Sequence, residues 1–193
     1  MSFKVAIVCE DHTNDQYIVQ PALKALFEYL GRPRARLQFV TNPRLQGLPS
    51  LLKHLCSIIY RYSAAANMVM VVVDNDCQDG RPGRENRRQR LLDAVANCPK
   101  GGDKTVVVVA VEEIEVWALW GQRDALGADW NAVRSECHPK ERYFDGALTK
   151  GDSRAPGGGR LRLMAASLQN GWVSLKTGCP ELQSLEDEIR GFL

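Results

Sequence analysis

Long apolar runs are missing from this chain. None reaches the roughly 18 residues that a membrane-spanning helix needs, and the N-terminus leads straight into a short β-like segment, so neither a spanning segment nor a signal peptide is expected. Histidine is scarce, at three residues. The six cysteines (Cys9, Cys56, Cys77, Cys98, Cys137, Cys179) are scattered, with no C-x-x-C pair and no His/Cys group at zinc spacing. A zinc centre is therefore not expected, and the cysteines read as reduced thiols of a cytoplasmic protein. A charge imbalance is missing too. The net charge is +2, so attraction to nucleic acid must come from a local patch and not from the field of the whole molecule. "APGGGR" at 155–160 lacks G-K-[ST] and follows no strand, which excludes a Walker loop.

What is present is an α/β pattern. The 193 residues suit one domain with enough apolar content, 45%, for a sizeable core. Residues 3–9, "FKVAIVC", residues 68–73 and residues 105–111, "TVVVVAV", read as strands. They are near-continuous apolar runs, the mark of strands buried on both faces of a parallel sheet. Residues 36–41 alternate and form the weaker fourth strand. Helical spacing covers 15–30, with Pro21 suggesting a start near Gln20, then 51–65 with Ser50 as N-cap, and 84–96. Residues 112–120 turn into a further helix. The expected fold is a four-stranded, mostly parallel sheet flanked by helices over residues 1–120, followed by a helical C-terminal extension over 121–193 that packs on the core. In the extension, helices are expected near 160–169 and 181–192, and "GDSRAPGGGR" at 151–160 reads as its most flexible piece.

The acids fall where strands end. Glu10 and Asp11 follow the first strand, Asp74 and Asp76 the third, and Glu112, Glu113 and Glu115 the fourth. In an open parallel sheet these positions share the carboxyl edge, where α/β proteins place ligands. Converging carboxylates repel unless a cation sits among them, and hard oxygen donors with room for water and phosphate suit Mg²⁺ or Mn²⁺. Behind Asp76 come Arg81, Arg84, Arg87, Arg88 and Arg90. Guanidinium groups bind phosphate oxygens bidentately, so Arg81, Arg84, Arg87 and Arg88 are the candidate nucleic-acid contacts. The competing reading is a solvated helix face. Spacings of three and four put Arg84, Arg87 and Arg88 on one face. His138, with Lys140 and Glu141, is a weaker candidate to approach from the tail.

The stretches "VAIVCEDHTNDQ", "VVVDNDCQ" and "VVVVAVEEIEVWAL" resemble the Toprim domain shared by topoisomerases, bacterial primases and the overcoming-lysogenization-defect (OLD) nucleases. "HPKERYFDGAL" and "CPELQSLEDEIR" are similar to the tail of an uncharacterised Toprim-like family often encoded beside ATPases. The resemblance implies that Glu10 is a general acid/base or metal ligand, that Asp74 and Asp76 hold Mg²⁺, and that Glu115, or Glu113 beside it, is the further acid of the nuclease branch. The usual Toprim glutamate is followed by Gly. Here Asp11 takes that position, which closes space for a phosphate or adds a ligand.

The resulting expectation is metal-dependent phosphodiester chemistry on DNA or RNA. The favoured form is a Toprim-type nuclease in phage defence or DNA repair, with an ATPase partner encoded nearby. Two alternatives stand beside it: a non-catalytic binding subunit with a degenerate site, and a receiver-like phosphoacceptor in which Asp74 is phosphorylated. The latter needs a fifth strand ending in Lys, which is not evident after Val111.

Overall fold

The computed structural model describes residues 2–75, 77 and 84–193, with backbone alone at 84–86. Four strands, β1 (Lys4–Cys9), β2 (Arg36–Phe39), β3 (Met68–Val73) and β4 (Thr105–Val109), form one sheet in the order β2-β1-β3-β4. Every pairing is parallel, and the register sets Cys9 opposite Val72 and Val73 opposite Val109. The fold class read from the apolar runs is the one observed. Among the described residues no fifth strand follows β4.

Helices cover both faces. α1 (His12–Tyr29) lies on the side of Val5, Ile7, Cys9, Met70, Val72 and Val108, while α2 (Gly47–Ser63) and α3 (Arg84–Ala96) lie on the side of Ala6, Val8, Val69, Val71 and Val73. Side chains alternate between faces along each strand, which is why consecutive valines of β3 belong to different cores. α4 (Glu115–Leu119) follows β4 at the end of the core, and the extension contributes α5 (Trp130–Arg134), α6 (Arg160–Ser167), α7 (Gly171–Gly178) and α8 (Glu181–Arg190). Its apolar residues Leu163, Met164, Leu175, Leu182 and Ile189 join the α1 core, and α8 packs against the edge strand β4.

Several boundaries differ from the sequence reading for local reasons. α1 starts at His12 because Asp11 caps it, its Oδ1 accepting from Thr13 N at 3.0 Å, and Pro21 is accommodated inside the helix. α2 starts at Gly47, whose φ of 73° turns the chain, and not after Ser50. The run 151–160 is a packed turn. Gly157, Gly158 and Gly159 all have φ between 55° and 83°, the left-handed region that favours glycine. A Cβ on Gly157 would stand 2.4 Å from Tyr17 Cγ.

The cysteine reading is corrected. Cys56 and Cys98 form a disulfide between α2 and the turn after α3, and Cys77 and Cys137 form a second between the segment after β3 and the extension. Their Cα atoms are 5.1 and 5.2 Å apart, inside the range that a disulfide spans. Separations of 42 and 60 residues give spacing rules nothing to detect. Cys9 and Cys179 are free and buried. With two disulfides formed, the cysteines do not point to a cytoplasmic location. Among the described residues no helix is long and apolar enough to cross a membrane.

Candidate functional site

The carboxyl edge gathers the acids. Glu10 follows β1 and Asp74 follows β3, and the register sets them one step apart on neighbouring strands. Arg87 of α3 joins them: its Nη1 donates to Glu10 Oε1 at 3.0 Å and to the Asp74 carbonyl. Strand alternation explains why it meets the carboxylate of one and the backbone of the other. Glu10 continues the face of Ala6 and Val8, which α3 covers, whereas Asp74 continues the face of Met70 and Val72. The Asp74 carboxylate is held from that second side, Oδ1 accepting from Ile114 N at 2.7 Å. Asn75 N donates to the Glu112 carbonyl at 2.9 Å, locking the end of β3 to the exit of β4. Glu112 itself is fully buried with φ 61°.

The buried Cys9 thiol registers how closely the acids crowd. Burial pushes its pKa up, and the charges of Asp15, Asp74, Asp11 and Glu10 all add to that rise. Burial also pushes Asp11 up, but hydrogen bonds from Asn14 and Thr13 outweigh it and leave the carboxyl below its usual value. Asp11 is thus a helix cap. Asp15, 9% exposed, is pushed up to about 7 by burial, against a hydrogen bond from Asp11 N, with the charges of Glu115 and Asp11 adding to the rise. Glu113 is pushed up to about 7, first by burial, with Lys140 N donating to it at 2.9 Å and Glu115 and Glu141 repelling it.

Glu115, the further acid that the resemblance implies, has a cationic partner. It is buried and accepts from Arg160 Nε at 3.1 Å in an ion pair. The same guanidinium lies over the Phe144 ring at 5.3 Å and donates from Nη1 to the Gly157 carbonyl at 3.3 Å. Glu115 therefore ties α4 to α6, and Glu113 anchors the π-helical turn Lys140–Phe144. Glu113 precedes the helix, so helical spacing does not force the two apart.

The arginines divide as well. Arg87 is 11% exposed and turned into the acidic edge, while Arg88 is 45% exposed and reaches Glu188 of α8 at 2.8 Å. Neighbours on a helix stand about 100° apart, and packing between the sheet and α8 resolves them onto different partners. Of the other expected residues, Asp76 and Arg81 lie outside the described residues, and Arg84 is described by its backbone alone.

The residues present fit a hard dication in kind. Glu10 and Asp74 supply carboxylate groups at the ends of adjacent strands, and Asn75, the residue after Asp74, buries an amide, 4% exposed, neither atom of which is hydrogen-bonded among the described residues. Such a buried amide calls for water or a ligand as partner. Among the described residues no three His, Cys, Asp or Glu side chains stand together as a metal-ligand group.

Asp15 and Arg160 are not expected from the sequence as members of this edge. Asp15 left one signal, an acid three residues before Ile18 on the apolar stripe of α1. Arg160 comes from a distant segment and left none, whereas Lys140, weighed beside His138, meets Glu113 through its backbone N–H. No family model matches the chain, and no curated protein or solved structure is detectably similar to it.

Proposed function

We propose that the carboxyl edge performs Mg²⁺- or Mn²⁺-dependent phosphodiester chemistry on nucleic acid, in the manner of a Toprim-type nuclease. The observation that carries this reading is that one nitrogen of Arg87 bonds both the Glu10 carboxylate and the Asp74 carbonyl at adjacent strand ends, with the buried amide of Asn75 next in sequence. Glu10 and Asp74, with Asp76 beside them in sequence, would hold the ion. When bound, such an ion lowers the pKa of water and neutralises charge developing on the phosphorus oxygens. Glu10 moves the proton of the attacking water, and Arg87 fixes the position of its carboxylate. Asp74 keeps the exit of β4 in register through Ile114 N. The intracellular setting, phage defence or repair, and an ATPase partner belong to the same proposal and rest on the Toprim resemblance alone.

One observation favours a second reading, a binding subunit with a degenerate site. Arg87 already places a cationic group against Glu10. A cleavage panel separates the two. Single- and double-stranded DNA and RNA are incubated with Mg²⁺ or Mn²⁺ and with the wild type or Glu10→Gln. Metal-dependent cleavage by the wild type that Glu10→Gln abolishes supports the nuclease. Binding without cleavage on every substrate supports the degenerate site.

A further inference from the structure

The same parallel sheet that gathers acids at one edge gathers cations at the other. The residues that lead into the strands, 2–4, 30–36, 64–67 and 97–104, contain Lys4, Arg32, Arg34, Arg36, Lys100 and Lys104, against Asp103 alone. All six cations are exposed. Arg61, in the last turn of α2, is exposed beside them, its guanidinium 5.5 Å from the Tyr62 ring. In a molecule of net charge +2 this is a segregation of charge, with an acidic carboxyl edge and a basic amino edge.

The β4 end of the basic edge is a pocket. Arg61, Lys100 and Lys104, with Tyr60 and one acid, Asp103, line a space of about 440 Å³, and Tyr60 is 60% exposed. The loop that carries both lysines is held in place twice. Cys98, two residues before Lys100, is bonded to Cys56 of α2. Gly101, with φ 85°, lies so close to α2 that a Cβ there would stand 2.5 Å from Ser63 Oγ and 2.9 Å from Ile59 Cγ2. Only glycine meets both conditions, and it sets Lys100 and Lys104 opposite Arg61. Lys104 Nζ also donates to the Ser63 carbonyl at 3.4 Å.

We infer that this amino edge, with Arg61, Lys100 and Lys104 at its β4 end, binds the phosphate backbone of a nucleic acid. The inference deepens the reading above and rests on it for the choice of polymer. Four strands about 4.8 Å apart make an edge about 15 Å long, so the cations form a line and not a point. A duplex with one negative charge per about 1.7 Å of axis presents several phosphates over that length. Tyr60 adds an exposed ring of the kind on which an unpaired base stacks. The edge supplies the anchoring that Arg87 and Arg88, engaged with Glu10 and Glu188, do not.

The test is equilibrium binding of labelled single- and double-stranded oligonucleotides at several salt concentrations, with a chelator present so that no turnover contributes. The triple variant R61A/K100A/K104A is expected to lose affinity by about tenfold or more and to shrink the log–log salt slope by about two to three units. A second variant, R34E/R36E at the far end of the edge, is expected to weaken binding in the same direction. Asp74→Asn should bind as the wild type does, so that loss of cleavage and loss of anchoring are read separately. Wild-type affinity and slope in both basic-edge variants would overturn the inference. So would a wild type that binds vesicles of anionic phospholipid but no oligonucleotide.

Discussion

Arg87 and Glu10, 77 positions apart in the chain, form an ion pair of 3.0 Å with both side chains less than 15% exposed. The pair joins α3 to the end of β1 and holds the acidic edge together. Removing the guanidinium leaves a largely buried carboxylate among Asp11, Asp15 and Asp74. Arg87→Ala should therefore cost about 3 kcal/mol of stability. Arg88→Ala, which breaks a half-exposed pair with Glu188, should cost less than about 1 kcal/mol. Urea unfolding of both variants measures the difference. Equal costs would mean that Arg87 is only a surface arginine.

Asp15 makes stability depend on pH. Its carboxyl has an ordinary value of 3.8 and is raised to about 7 in the fold. The folded protein thus holds a proton that the unfolded chain has already released. Its contribution is fully present below 3.8 and is lost as pH rises through about 7. Glu113, also raised to about 7, acts in the same direction. Asp15→Asn keeps a neutral group of the same shape, so it should flatten the decline between these values and raise the melting temperature at alkaline pH relative to wild type. Thermal melts across that range follow the effect; an unchanged profile in the variant would place Asp15 in contact with solvent or a cation.

Glu115 separates a structural role from a catalytic one. Its buried pair with Arg160 predicts that Glu115→Gln destabilises the protein by about 3 kcal/mol, because Arg160 is left buried with a weaker partner. Replacing both members with Met should recover much of that loss. A double-mutant cycle by chemical denaturation reads the coupling. A Glu115→Gln variant of wild-type stability that fails to cleave would restore the role its motif implies.

The three buried strands were legible because burial on both faces demands unbroken apolar runs, and β3 was legible to the residue. The acidic edge followed from the same fact, since parallel strands end on one side. What lay beyond reach was the identity of each acid's partner. Glu115 sits two residues beyond Glu113 and looks like one more of the fourth strand's acids. Only the folding back of Arg160, 45 residues on, turns it into a tie between helices. The glycine run before Arg160 reads as flexible by composition, yet its positive φ angles and its contact with Tyr17 make it the rigid start of α6. Arg87 and Arg88 share a charge and a motif but face different elements. α1 starts nearer the D-x-x-N-D pattern at Asp11 than Pro21 suggests, because the cap fixes the first turn and the helix accommodates the proline.

The central claim is that Glu10 and Asp74 share a dication at the carboxyl edge. Mn²⁺ binding, followed by electron paramagnetic resonance of the free ion, tests it without reference to any substrate. Wild type is expected to take up Mn²⁺, with Mg²⁺ competing for it. Asp74→Asn, whose side-chain oxygen still accepts from Ile114 N, is expected to lose that uptake at least tenfold, as is Glu10→Gln, while Glu115→Gln keeps it wherever it remains folded. Uptake at wild-type strength in both Asp74→Asn and Glu10→Gln would contradict the account.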